Sequence, residues 1–239
     1  MTVGELSWPW PSRAAADTPP LPPGEIHLWL ARLDAPVGAA AMALLAPEER
    51  TRAAAFRRPA LSQAYLAAHL ALRRLLGGYL RRAPAGIGLI RGPAGKPALR
   101  QAPGDAAPGL QFNLSHAGDW ALHGFARGRA VGVDLEPLRP DPPLEAASLV
   151  FSPAERRLLD AQDVASRGTT FLRLWTRKEA RLKAEGQGFS RDPTRLCTLS
   201  EQGWWIDTPE GPPDHLLAVA ASARPARCLG HILSEQIEI

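Results

Sequence analysis

Cysteine is nearly absent from this 239-residue chain. Cys197 and Cys228 cannot build a disulfide scaffold, and neither sits in a CxxC or Cys/His spacing that would hold zinc, so a reducing compartment is expected. Aromatic residues are also sparse, at 6%. No basic helix interleaved with stacking side chains is visible, which argues against nucleic-acid binding. Long hydrophobic runs are missing as well: the most apolar early window, Ala35 to Ala46, contains Gly38 and is too short to span a bilayer. The opening stretch, MTVGELSWPWPSR, carries an acid where a secretion signal needs positive charge, and prolines where it needs an apolar run. Together these absences predict a cytoplasmic protein with no membrane association.

What is present is enough hydrophobic residue, 45%, to bury a real core, over a length that suits one large domain or two small halves. Lys and Arg total 28 against 24 Asp and Glu, a formal net charge of +4. The sequence pI of 9.6 is set largely by Arg. A modestly basic balance suits a polyanionic ligand or an acidic protein partner.

Residues 1–24, rich in Pro, Ala and Ser, read as an irregular arm. Ile26 to Leu33 alternates as a strand with a buried face. Pro47-Glu48-Glu49 reads as a helix start, which Arg57 and Arg58 would end. Leu61 to Leu76 is the longest helical pattern, with Gly77-Gly78 as its expected stop. From Pro84 to Gly109 the density of Pro and Gly predicts a long surface excursion, within which Lys96 is held between Gly95 and Pro97. Such a lysine is either an ordinary turn residue or a fixed cation presented to a phosphate.

Phe112–His116, Trp120–Ala126 and Val131–Glu136 read as three short strands of an antiparallel meander. In the third, Val131, Val133 and Leu135 face one way while Asp134 and Glu136 face the other, because side chains alternate along a strand. Two carboxylates on one face repel. Either that face is open water or a cation compensates it, and ligands that are all oxygen suit Mg²⁺ or Mn²⁺. Ser152-Pro153-Ala154-Glu155 is a capping box that starts a helix running to about Ala161. A second helix is expected over 171–185, stopped by Gly186. It carries Phe171, Leu174, Trp175 and Leu182 on its apolar side, and Lys178, Glu179 and Lys183 as charges. Glu179 and Lys183, four apart, form either a surface salt bridge contributing ~0.3–0.5 kcal/mol or part of a site. Leu196–Leu199, Trp204–Ile206, Leu216–Ala221 and Cys228–Leu233 are further candidate strands. This order of elements predicts an α+β protein built as two similar halves.

FNLSHAGDW (112–120), VGVDLE (131–136), FSPAE (151–155) and FLRLWTRKEARLKAEGQGF (171–189), preceded by GKP (95–97), together resemble the 4′-phosphopantetheinyl transferases of the surfactin-synthetase-activating type. The likeness spans roughly 95–190 and extends more weakly to APEERTRAAAF (46–56). It implies two pseudo-symmetric halves, each a small antiparallel sheet packed with helices, with the active site in the cleft between them. The arm at 1–24 lies outside the likeness; the halves would be 25–129 and 130–239, the second carrying the metal site.

The implied reaction is Mg²⁺-dependent transfer of phosphopantetheine from coenzyme A to a serine of an acyl, peptidyl or aryl carrier protein, by a monomer, in fatty acid, polyketide, siderophore or nonribosomal peptide synthesis. Carried over by residue, Asp134, Glu136 and Glu179 would bind the metal, Glu179 would also act as base, and Lys183 would stand at the pyrophosphate. Ser115, His116 and Lys96 would hold the coenzyme's phosphates, with Arg52 near its nucleotide. One departure is Ala64, where the family usually has an Arg for the 3′-phosphate; His69, Arg57 or Arg58 are candidates to replace it. A module that binds coenzyme A or a carrier without turnover is the alternative that this departure motivates.

Overall fold

The structure, a computed structural model, describes residues 6–92, 95–100, 109–188, 192–200 and 203–234. Its elements in chain order are β1 (Ser12–Arg13), β2 (Glu25–Arg32), α1 (Ala39–Met42), α2 (Pro47–Ala54), α3 (Pro59–Leu80), β3 (Leu89–Arg91), β4 (Pro97–Leu99), β5 (Leu110–Ala117), β6 (Trp120–Arg127), β7 (Val131–Pro137), α4 (Ala147–Val150), α5 (Pro153–Asp160), α6 (Val164–Glu185), β8 (Trp205–Asp207), β9 (His215–Ala221) and β10 (Arg227–Leu233). The mixed helix and sheet content is that of an α+β protein. None of the described helices is long and apolar enough to cross a membrane.

The strands form a five-stranded sheet ordered β1-β10-β2-β6-β5, a three-stranded sheet ordered β7-β9-β8, and the β3-β4 ladder. Hydrophobic alternation decides how they stack. Trp29 and Ala31 of β2, with Phe112 and Phe125, face Leu72, Leu75 and Leu76 of α3. The opposite set on β2, Ile26, Leu28 and Leu30, packs against Val131, Val133 and Val219 of the smaller sheet. That sheet's outer face, Ala218 and Ala220, receives Ala180 and Ala184 of α6. The order is therefore helix, sheet, sheet, helix.

Several elements differ from the sequence expectation. Helix α3 does not stop at Gly77-Gly78 but runs to Leu80, with Arg81 as a left-handed cap at φ 51°. The glycines serve packing instead: a Cβ on Gly78 would land on Ala15 O and on Thr18 of the arm, and one on Gly77 would come within 2.9 Å of Arg82 O. Helix α6 begins at Val164, about two turns early, because the Asp163 side chain accepts from Ser166 N at 2.8 Å and caps it. The third meander strand, β7, leaves its neighbours' ladder and pairs with β9. It still lies beside β5, where Val133 N donates to Asn113 Oδ1 at 2.9 Å. Leu196–Leu199 is not a strand.

The first sheet is mixed rather than antiparallel, since β10 runs parallel to β2. Because β10 closes that sheet from the far end of the chain, a boundary at residue 130 does not separate the two sheets along the sequence. The arm also contributes regular structure, with β1 parallel to β10 and Trp10 buried over Gly230.

The contact between α6 and β7 is closest at Gly132, where an added Cβ would fall on Ala180 O and Ala184 N and lie 2.8 Å from Ala184 Cα. Backbone cannot yield as a flexible side chain can, so this site admits only glycine. Gly132→Ala is expected to destabilise the protein by ~1–3 kcal/mol, the usual cost of overpacking. Gly86, with nothing within 4 Å of its added Cβ, supplies the control. Urea denaturation of both alanine variants checks this; equal midpoints would refute the tight seam.

Candidate functional site

The seam at Gly132 sets α6 across β7 so that one turn of the helix overlies the strand's polar face. Asp134 is almost wholly buried, at 2% exposure. Its Oδ1 accepts from Lys183 Nζ at 2.5 Å and from Ser115 Oγ at 2.9 Å, and Lys183 Nζ also donates to Ser115 Oγ at 3.0 Å. Strand β5, strand β7 and helix α6 thus each contribute one side chain to a single polar knot. Asp134 Oδ2 is buried with no hydrogen-bond partner among the described residues.

Two further carboxylates act on this knot. Burial pushes the Glu179 carboxyl up to about 7, the Lys183 ammonium opposing and the charges of Asp134 and Glu136 adding to the rise. Glu136 is raised by burial and by Asp134, and its Oε1 accepts from Trp175 Nε1 at 3.0 Å. Trp175 lies on the apolar side of α6 as expected, stacked beside Phe171, and its indole N–H also orients Glu136. Negative charge removed from water in this way, with one buried carboxylate oxygen unpaired, is an environment that a divalent cation would stabilise. As the side chains stand, no three His, Cys, Asp or Glu residues among those described converge closely enough to hold an ion. The Lys183 ammonium supplies the positive charge at Asp134. The all-oxygen donors of Asp134, Glu136 and Glu179 are of the kind a hard cation takes, and the three carboxylates would have to draw together around one point to hold it.

The other expected site residues are placed as follows. His116, on β5 next to Ser115, opens to solvent at its edge; its packed surroundings, and then His69 and Lys183, hold its imidazolium below the ordinary value. Lys96 does not join Ser115 and His116. Its Nζ donates to Val131 O at 2.9 Å and to Ala184 O at 3.3 Å, and burial lowers its pKa to about 8. Arg52 is exposed on α2 with its guanidinium 6.0 Å from the centre of the Tyr65 ring.

The sequence places Tyr65 only on the apolar side of α3 and gives no role to Arg91, whose guanidinium donates to Tyr65 Oη at 3.2 Å. The Tyr65 ring also lies 4.1 Å from that of His69. Ala64 packs against the cluster of Leu33, Ala41, Leu45 and Ala68. Of the candidates to replace the missing Arg, Arg57 and Arg58 are exposed, while His69 Nδ1 is bonded to Glu49 Oε1 at 3.0 Å. Glu49 also takes Arg73 Nε at 2.6 Å and Ala46 N at 2.8 Å, so it joins α2 to α3.

Lys178, adjacent to Glu179, points away from the site. Its Nζ donates to Glu155 Oε2 at 2.6 Å and to Pro193 O at 3.0 Å, while Glu155 Oε1 accepts from Thr198 N and Oγ1 at 2.8 and 2.7 Å. Glu155 also closes its own capping box through Ser152 N. This buried pair ties α5, α6 and the segment around Thr198 together.

Two family models match the chain. That of the 4′-phosphopantetheinyl transferase superfamily covers residues 130–218, and that of the 4′-phosphopantetheinyl transferase N-terminal region covers 37–124. The 4′-phosphopantetheinyl transferase HetI of Nostoc is 36% identical over 83% of this chain and 88% of that protein. A putative 4′-phosphopantetheinyl transferase of Synechocystis is 37% identical over 69% of this chain and 66% of its own. The 4′-phosphopantetheinyl transferase Sfp of Bacillus subtilis is 30% identical over 62% and 63%. The chain belongs to the 4′-phosphopantetheinyl transferase family of enzymes.

The Glu155 pair supplies a pH prediction. Burial alone would raise this carboxyl, but the hydrogen bonds from Lys178 and Thr198 outweigh it and hold the pKa below the ordinary 4.5. The stabilisation is complete above 4.5 and is lost as pH falls through the lowered folded value. Glu155→Gln, which strands the buried ammonium, is expected to cost ~3–5 kcal/mol at neutral pH and to flatten the acid limb of stability. Urea unfolding of both proteins from pH 7 to pH 3 measures this; parallel acid limbs would overturn it.

Proposed function

We propose that this protein transfers the 4′-phosphopantetheine group from coenzyme A to a serine hydroxyl of an apo carrier protein, leaving 3′,5′-ADP. The observation that carries the reading is the junction of Ser115, Asp134 and Lys183, ringed by Glu136 and Glu179. It is a concentration of carboxylates around one ammonium where β5 meets β7 and α6. The cleft between two pseudo-symmetric halves would run along that junction, as in the surfactin-synthetase-activating type, and the protein would act as a cytoplasmic monomer.

The reaction is attack of an alcohol on the phosphorus of a pyrophosphate, so catalysis is mostly positioning and charge neutralisation. Bound by Asp134, Glu136 and Glu179, a magnesium or manganese ion would supply Lewis-acid charge to the pyrophosphate oxygens. Lys183, only part-buried and already inside the knot, shifts from Asp134 to the phosphate and stabilises the departing oxygen. Ser115 Oγ exchanges its bond to Asp134 for a phosphate oxygen, and His116, one residue on, faces the same ligand. Lys96 reaches those phosphates only by releasing Val131 O and Ala184 O. Arg52 and Tyr65 flank the nucleotide. Trp175 fixes the rotamer of Glu136, and a Glu179 carboxylate oxygen accepts the serine proton. The modest basic excess of the chain suits an acidic carrier, whose docking rate would fall with salt.

Intact mass of an apo carrier protein incubated with this protein, coenzyme A and Mg²⁺ tests the reading. A phosphopantetheine increment is expected with the wild type, none with Asp134→Ala or without metal, and a rate lower by roughly 10²–10³ with Lys183→Met, as for loss of one transition-state donor. Binding of coenzyme A with no increment on any carrier would favour a binding module instead. Unchanged turnover of Glu179→Gln at saturating Mg²⁺ would remove Glu179 as the base.

A further inference from the structure

A second concave region lies at the other end of α3. Tyr65 and Gly78 are thirteen residues apart on that helix, about 20 Å at 1.5 Å per residue, so this region is remote from the phosphate-handling side chains. It is a half-open cavity of about 1010 Å³ where the arm folds over the helix end. Two kinds of residue line it. The apolar wall is Pro19, Leu21, Leu44, Tyr79 and Leu80, and the polar wall is four arginines, Arg74, Arg81, Arg82 and Arg127. Among the described residues that line it there is no Asp or Glu, and Asp17 of the arm lies outside the lining.

The cavity is built rather than incidental. Gly78 lets the arm approach so closely that any side chain would strike Ala15 O and Thr18. Arg127 Nε donates to Leu21 O at 2.8 Å, which pins the arm as a roof. Arg81 stands in the left-handed conformation just past the helix end, exposed at the rim. Cations at a helix C-terminus are expected from the dipole, but one or two suffice for that, and Arg127 comes from β6 on the sheet. The volume is at the upper end of ligand pockets, which are mostly apolar with a few orienting polar groups.

From this lining we infer a second binding site, for an amphipathic anion: a carboxylate or phosphate headgroup met by the arginines, with an aliphatic body along Pro19, Leu21, Leu44 and Leu80. Guanidinium groups pair with carboxylate and phosphate in planar, two-point geometry, and the apolar wall selects against a bare anion.

Isothermal titration of the full chain with laurate, dodecyl phosphate, inorganic phosphate and dodecyltrimethylammonium, each below its micellar concentration, tests the inference. Laurate or dodecyl phosphate is expected to bind with one site per chain, and whichever is tighter names the headgroup. Inorganic phosphate should bind far more weakly and the cationic amphiphile not at all. The Arg81→Asn, Arg127→Gln double variant should weaken binding about tenfold or more, as for loss of charge-assisted contacts. Ala16→Trp, which fills the cavity from the exposed arm without changing its charge, should abolish binding; unaltered far-ultraviolet circular dichroism and thermal midpoint show that both variants fold. Equal binding of the cationic amphiphile, binding indifferent to both variants, or no binding of either anionic amphiphile would overturn the site.

Discussion

The approach of α6 to β7 at Gly132 governs the rest of the molecule. A helix normally stands off a sheet by the thickness of two side chains. Here the small residues Gly132, Ala180, Ala184, Ala218 and Ala220 let backbone meet backbone. That closeness brings Lys183 and Glu179 over Asp134 and Glu136, close enough for their charges to shift one another. A larger gap would leave the same charges as surface ion pairs of little consequence. The unusual charge density and the packing are one feature.

The close seam would be of little use if the two sheets moved against each other, since Ser115 belongs to one and Asp134 to the other. Three devices hold them. Asn113 bonds the backbone of Val133, the valines of β7 and β9 interlock with β2, and β10 returns from the far end of the chain to lie beside β2. On the helix side, Glu155 and Lys178 fix α5 and the segment around Thr198 to the middle of α6. The helix that carries Glu179 and Lys183 is therefore held from both of its flanks.

Much of this was legible in the sequence, for local reasons. The alternation of Val131, Asp134 and Glu136 follows from strand geometry, the capping box at Ser152 from helix geometry, and the placing of Glu179 and Lys183 on one helix flank from the four-residue spacing, although Lys183 bonds Asp134 rather than Glu179. What was not legible depends on partners distant in the chain. Gly77-Gly78 reads as a stop until the arm that needs the space is seen. Leu196–Leu199 reads as a strand until Glu155 claims the backbone of Thr198. Lys178 and Glu179 are neighbours in sequence, yet a helix turns them about 100° apart, and burial decides that one serves structure while the other faces the carboxylates. Arg91 lies in a stretch whose Pro and Gly content conceals that it reaches Tyr65.

The chain holds only three lysines, Lys96, Lys178 and Lys183, its other cationic side chains being arginine or histidine. All three ammonium groups are turned inward: Lys96 onto two backbone carbonyls, Lys178 onto Glu155, and Lys183 onto Asp134 and Ser115. Lys178 is 2% exposed in its side chain and Lys183 30%. A surface whose positive charge is carried by guanidinium presents little to acylating reagents, enzymatic or synthetic. Such reagents would meet Lys183 before Lys178, so side-chain amine modification of the folded protein becomes a reporter on whether the junction of β5, β7 and α6 is occupied.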